Sequence, residues 1–215
     1  NGAFSLDESK SILEAAKASN MGLKMHVEQL GHTGGASLGA HLGAISVDHV
    51  DHASNDDLKA LGDAGTIAVL LPSATLFLGH TKLPQAENFR TNKVKMALAT
   101  DCNPGSTPVE DLSLVASLGC ALMGMSPEEA LRGITVVAAE ALKLEKEVGT
   151  IQAGARADFV ILSHDARDVR EVCYRMGASR VGYILAGGTK FRVGPGEAGS
   201  PDESLVKYFS EALGS

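Results

Sequence analysis

Three side chains of the kind that bind divalent cations fall at matching points of a repeating pattern: His26, His49 and Asp101. Each closes a short apolar run that reads as a strand. His26 follows Gly22-Leu23-Lys24-Met25, His49 ends Ala44-Ile45-Ser46-Val47-Asp48, and Asp101 follows Val94-Lys95-Met96-Ala97-Leu98-Ala99-Thr100. Imidazole and carboxylate donors suit zinc, iron or a similar borderline ion that keeps a position open for water. Such an ion brings the pKa of its water toward about 7, and an unligated imidazole beside it can carry the proton. Taken singly, a histidine at a strand end is more often structural or solvated than a metal ligand. Recurrence at equivalent points of successive units is what makes the three a set.

The other candidates have plainer readings. His32 and His41 lie in or beside a helix and read as solvated. His49-x-x-His52 has a spacing seen in metal sites but straddles a strand end, so His52 reads as a loop residue. His80 falls in a loop over the expected mouth, where it could touch substrate. Cys102 would point away from Asp101 along an extended chain and is expected to pack in the interior, as Glu28 would point away from Gln29. Arg156 and Lys24 read as surface or packing charges. No strand-borne lysine offers a carbamate bridge between two metals, so one metal is the simpler expectation.

These residues need a scaffold that brings strand ends together, and the pattern supplies one. A helix over Ser5 to about Ser19 opens on a capping box of Ser5 and Glu8. Strands follow at 22–27, 44–49, 66–71 and 94–100, separated by helices at Gly35 to about His41, Ser54 to Ala64 and from after Pro84 to about Asn92. Pro72 is expected to end the third strand and open a loop through His80 and Pro84. Strands alternating with helices imply a parallel sheet. A doubly wound sheet would show a Gly-rich phosphate turn, and no G-x-G-x-x-G or P-loop is present. A barrel gathers its chemistry at the C-terminal ends of its strands, where His26, His49 and Asp101 fall. Helices over Val109 to Met123 and over Ser126-Pro127 to Leu142 follow, then short strands around Gly149-Thr150-Ile151, Ala157 to Leu162 and Val181 to Gly188. The expected organisation is a partial (β/α) barrel over 1–145, a small β appendage over 146–194, and a C-terminal loop and weak helix over 195–215.

At 215 residues and 44% hydrophobic content the chain can bury a sizeable core, so a disordered chain is excluded. Its net charge of -7 is spread without a basic run, which argues against nucleic acid or an anionic membrane as partner and leaves a small-molecule substrate. No apolar run approaches the roughly 18 residues of a membrane-spanning helix, and Asn1-Gly2-Ala3-Phe4 lacks the features of a signal peptide. Cys102, Cys120 and Cys173 are odd in number and far apart, as suits a reducing cytoplasm.

Several segments together resemble the imidazolonepropionases of the amidohydrolase superfamily: His26-Val27-Glu28-Gln29-Leu30, Ser46-Val47-Asp48-His49, Val69-Leu70-Leu71-Pro72 and Ala99-Thr100-Asp101-Cys102-Asn103-Pro104-Gly105. The resemblance continues through Met125 to Ala130, Gly133-Ile134-Thr135, Gly149-Thr150-Ile151 and Ala157-Asp158. The Asp-x-Asn-Pro-Gly segment is its specific part; the later pieces mark only the superfamily. It implies the C-terminal half of a (β/α)8 TIM-type barrel with part of a small composite β domain. It implies one zinc or iron ion held in part by His26 and Asp101, with His49 as the catalytic histidine. Gln29, Asn103, Gly105 and Ser106 would face the substrate, although Ser106-Thr107 reverses the usual order of the two hydroxyl residues. The reaction implied is hydrolysis of the cyclic amide of 4-imidazolone-5-propanoate to N-formimidoyl-L-glutamate in histidine degradation, by a cytoplasmic protein that is a homodimer at full length.

That family also carries an H-x-H metal pair, and none occurs among His26, His32, His41, His49, His52, His80 and His164. Four strands do not close a barrel. The expectation is therefore a fragment of a longer protein, inactive alone. Two other readings stay open: a different mononuclear amidohydrolase, such as a nucleobase-type deaminase, and a non-catalytic half-barrel. Such deaminases usually place a glutamate where Gln29 stands, and an amide cannot titrate.

Overall fold

The computed structural model describes residues 4–178 and 180–192. In chain order the elements are α1 (Leu6–Ala18), β1 (Lys24–Val27), α2 (Gly35–Leu42), β2 (Ser46–His49), α3 (Asn55–Ala64), β3 (Ile67–Leu70), α4 (Pro72–Phe77), α5 (Ala86–Thr91) and β4 (Met96–Leu98). They continue with α6 (Leu112–Met123), α7 (Pro127–Gly133), α8 (Val136–Leu142), β5 (Phe159–Leu162), α9 (Glu171–Tyr174), β6 (Val181–Ala186) and β7 (Thr189–Arg192). Helix starts are written locally. The Ser5 hydroxyl accepts from the Glu8 amide while the Glu8 carboxylate accepts from the Ser5 amide, and Ser54 with Asp57 and Ser126 with Glu129 repeat the device at α3 and α7.

β1 to β4 form one parallel sheet in sequential order. The order never reverses, so there is no switch point of the kind a doubly wound sheet has, and the layout is the one a barrel uses. β2, β3 and β4 are covered on both faces, which is why they read as almost continuous apolar runs, whereas β1 leaves Lys24 and His26 exposed. Val27, Val47, Leu70 and Leu98 face the outer helices, packing with Leu58, Leu61, Phe89 and Val115. Leu61, Leu70 and Phe89 are essentially fully buried, each worth roughly 1.5–3 kcal/mol of transfer free energy. On the inner face Ile67, Val69, Leu71 and Ala97 pack with Ala74, Val137 and Ala141.

Helix α8 meets the sheet at the beginnings of its strands. Lys24 Nζ, at the start of β1, donates to the Ala141 carbonyl at 2.9 Å, and Lys95, just before β4, pairs with Glu140. Lys24 is thus a packing charge with a definite partner, and Arg156 pairs with Asp158 at 2.5 Å. The second sheet, β5-β6-β7, is antiparallel, and α9 in its first connection packs against α6.

The structure corrects four expectations. Pro72 does not open a loop: it starts α4, because a proline at the first helical turn loses no hydrogen bond. The single helix expected over 126–142 is two, broken at Ile134 and Thr135, where Thr135 leaves helical backbone at φ -128, ψ -92. Gly149-Thr150-Ile151 forms no strand, and α9 occupies a stretch with too few residues to show a period. The expected C-terminal loop and helix over 195–215 lie outside the described residues.

Candidate active site

Alternation along a parallel strand decides which side chains meet. Within β1 and β2, His26 is in register with Asp48, and Val27 with His49. His26 and Asp48 share the inner face, with His26 Nδ1 3.6 Å from Asp48 Oδ2. Simple alternation would send His49 outward with Val27 and Val47, which belong to the outer core. It does not go there. His49 has φ 75 and Val50 φ 57, a left-handed turn that breaks the alternation, and the His49 ring stands with its centroid 5.2 Å from that of His26. Glu28, just past β1, and Asp101, past β4, adopt the same left-handed backbone at φ 53 each. Left-handed backbone is costly for non-glycine residues, most of all for β-branched Val50, and here it clusters at the C-terminal ends of three strands.

Asp101 completes the group. Its Oδ2 lies 3.9 Å from His49 Nε2 and accepts a hydrogen bond from Ser106 Oγ at 3.1 Å. The intervening loop is fastened by Asn103. The Asn103 amide nitrogen donates to the Asp101 carbonyl and to Ser106 Oγ, each at 2.6 Å, and its Oδ1 accepts from the Gly105 and Ser106 backbone amides, each at 2.8 Å. Asn103 and Ser106 therefore hold the loop and the carboxylate, and Gly105 is exposed at its tip. Gln29 is half-buried one residue beyond Glu28.

The electrostatics differ sharply between the two imidazoles. His26 is 68% exposed, whereas His49 is 3% exposed, and its Nδ1 is buried without a hydrogen-bond partner. Burial, opposed by Asp101 and reinforced by His26, pushes the His49 pKa down to about 4, so the ring is neutral at pH 7. Burial likewise raises the Asp48 carboxyl, against the pull of His26 and Lys24.

Sequence reasoning gave no role to three acids. Asp48 is brought to His26 by strand register, a signal visible only once the pairing is known. Glu28 is buried, and its carboxylate accepts from the Thr33 amide at 2.5 Å and the Ala36 amide at 3.1 Å, pinning the start of α2. Asp51 is buried behind the mouth, taking a hydrogen bond from Thr75 Oγ1 at 3.3 Å. Two readings of single residues change as well. Cys102 is exposed, not interior, because the left-handed turn at Asp101 ends the extended chain. His32 is exposed but not merely solvated: its Nε2 lies 2.8 Å from the buried Asp57 carboxylate. His80 is half-buried just after α4, near His52 and Lys82.

The donors found are an imidazole and a carboxylate on one mouth, the right types for a zinc-class ion. Among the described residues, however, no group of three or more histidine, cysteine or acidic side chains is arranged to hold a metal. No helix among the described residues is long and apolar enough to cross a membrane.

Comparison with known proteins follows the same lines. Imidazolonepropionase from Psychromonas ingrahamii is 43% identical over 180 residues, covering 83% of this chain and 45% of its own length. The Erwinia tasmaniensis imidazolonepropionase is 47% identical over 158 residues, covering 74% of this chain and 39% of its own. The chain therefore spans less than half the length of these curated relatives. Among solved structures, an adenosine deaminase from Xanthomonas campestris with bound zinc superposes with a TM-score of 0.71 at 18% identity, over 97% of this chain and 53% of that one. Atrazine chlorohydrolase from Arthrobacter aurescens complexed with zinc gives 0.68 at 16% identity, over 97% and 52%. The shared fold is the amidohydrolase barrel, of which the four-stranded sheet is a part, accompanied by a separate small antiparallel sheet. The amidohydrolase family model matches residues 1–180, and the chain belongs to the amidohydrolase family.

Proposed function

We propose that this chain supplies the C-terminal half of an imidazolonepropionase, hydrolysing the cyclic amide of 4-imidazolone-5-propanoate to N-formimidoyl-L-glutamate. The observation that carries the reading is the meeting of His26, His49 and Asp101 at one mouth, in a chain 43% identical to an enzyme of that name. His26 and Asp101 would be two ligands of one zinc or iron ion, with the remaining ligands supplied from outside this chain. When bound, such an ion activates water for attack at neutral pH.

The chain's own residues do the rest. His49, kept neutral by burial, is the proton carrier, with Nε2 facing the Asp101 carboxylate. Ser106 and Asn103 hold Asp101 and its loop in position, and Gln29 offers the substrate a neutral amide at the rim. Gly105 lets substrate approach the loop backbone without a side chain in the way. A nucleobase-type deaminase is less well supported because Gln29 cannot shuttle a proton to a leaving amine. In this reading the full-length protein is a cytoplasmic homodimer with a small-molecule substrate.

The test is to purify the natural gene product that contains this chain, measure its bound metal and assay it with 4-imidazolone-5-propanoate. Metal near one ion per chain and formation of N-formimidoyl-L-glutamate are expected. A protein that gains neither metal nor hydrolysis after reconstitution with zinc or iron overturns the proposal, and the sedimentation mass of the same sample checks the dimer.

A further inference from the structure

Away from the mouth, two cysteines that are 53 positions apart in sequence come together. Cys120 lies in α6 and Cys173 in α9, the helix inserted between β5 and β6, and these helices pack against each other. Cys173 is 6% exposed, and its thiol donates to the Pro127 carbonyl at 3.8 Å, while Cys120 is half-buried and near enough for the two thiols to perturb each other's ionisation. Both line a cavity of about 350 Å³ whose walls also include Pro127, Arg170 and Tyr174. Neither belongs to the catalytic mouth.

We propose that Cys120 and Cys173 form an oxidation site, at which a low-molecular-weight disulfide closes a reversible bond that ties α9, and with it the small sheet, to α6. The half-buried Cys120 is the sulfur reached first. Its thiolate attacks one sulfur of the disulfide RSSR, forming a mixed disulfide and releasing RS⁻, which takes up a proton as RSH. The Cys173 thiolate then attacks Cys120 Sγ, forming the Cys120–Cys173 bond and releasing a second RSH. Two protein thiols lose two electrons and two protons, and the RSSR is reduced to two RSH. Burial sets the rate. It pushes Cys173 up to about 12 and raises Cys120 as well, so thiolate is scarce at neutral pH and closure quickens as pH rises. Cys102, exposed on the loop after β4, meets the same reagent and serves as an internal comparison.

The test treats the purified protein with glutathione disulfide at pH 8, alkylates the remaining thiols under denaturing conditions and maps the peptides. The expected result is a linked peptide pair containing Cys120 and Cys173, glutathione retained only on Cys102, and full reversal by dithiothreitol. The oxidised protein should also unfold several degrees higher, since a cross-link over so long a loop constrains the unfolded chain. Glutathione left stably on Cys120 or Cys173, or both thiols still alkylated as free groups, overturns the proposal. Neither result bears on whether the protein hydrolyses imidazolonepropionate.

Discussion

Nε2 of His49 lies 3.9 Å from Oδ2 of Asp101, although β3 separates the strands they end. The approach is made by backbone, since both residues sit in left-handed turns that swing their side chains into the mouth. If His49 carries protons and does not hold the metal, His49→Ala in the metal-bearing gene product lowers kcat on the order of 10²–10⁴-fold. Metal content, measured on the same preparation, should stay at the wild-type level; loss of metal with the ring would make His49 a ligand.

Asp51 predicts a pH effect on stability. Burial lifts its carboxyl from an ordinary 3.8 to about 7, against the opposing Thr75 hydrogen bond and Lys82. Between those values the folded protein holds a proton that the unfolded chain has released. The contribution is therefore fully present below about pH 4 and is lost as pH rises to about 7. Asp51→Asn should remove this slope and raise stability at pH 8 by on the order of 1–4 kcal/mol relative to the parent. Urea unfolding of both proteins at pH 4.5, 6 and 8 reads the difference, and parallel curves would show that Asp51 is not the source.

Asp57 has the opposite sign. Burial alone would raise its carboxyl, but hydrogen bonds from Ser37 and Ser54 and the pair with His32 outweigh that and hold it below its ordinary value. Its stabilising effect is present above the ordinary carboxylate range and is lost as pH falls through the depressed value. Asp57→Ala removes the capping box of α3 and leaves the Ser37 hydroxyl without its acceptor, at an expected cost of about 2–3 kcal/mol in chemical denaturation.

Gly62 is needed for space, not for unusual backbone. A Cβ there would lie 1.9 Å from the Asn92 carbonyl oxygen, a backbone atom at the end of α5. Gly62→Ala should destabilise the protein by roughly 2 kcal/mol or more even though alanine favours helix, because α3 and α5 must separate. An alanine variant as stable as the parent in thermal unfolding would contradict the packing of these helices.

Much of the barrel half could be read from the chain, and the reasons are local. Ser5 with Glu8 and Ser54 with Asp57 announce helix starts within four residues, and β2, β3 and β4 carry apolar runs because both their faces are covered. The break at Thr135 and the short α9 could not be read this way. One depends on a single residue's dihedrals, the other on packing against α6. In the site, His26, His49 and Asp101 were legible from position at strand ends. Asp48 was not, because its partnership with His26 rests on register. The loop-holding role of Asn103 was hidden for a similar reason: a side chain that bonds to its own loop has the same sequence as one that reaches for a ligand.

The left-handed turns at Glu28, His49 and Asp101 have one more consequence. Each fixes a side chain's heading by a single backbone angle at the point where the strand stops, before the loop begins. The segments that follow share the aiming only through a few anchored residues, Asn103 and Ser106 for Asp101, Thr33 and Ala36 for Glu28. Insertions or replacements beyond these anchored residues can redraw what the mouth admits while the reacting groups keep their bearings, which separates the inheritance of chemistry from the inheritance of selectivity.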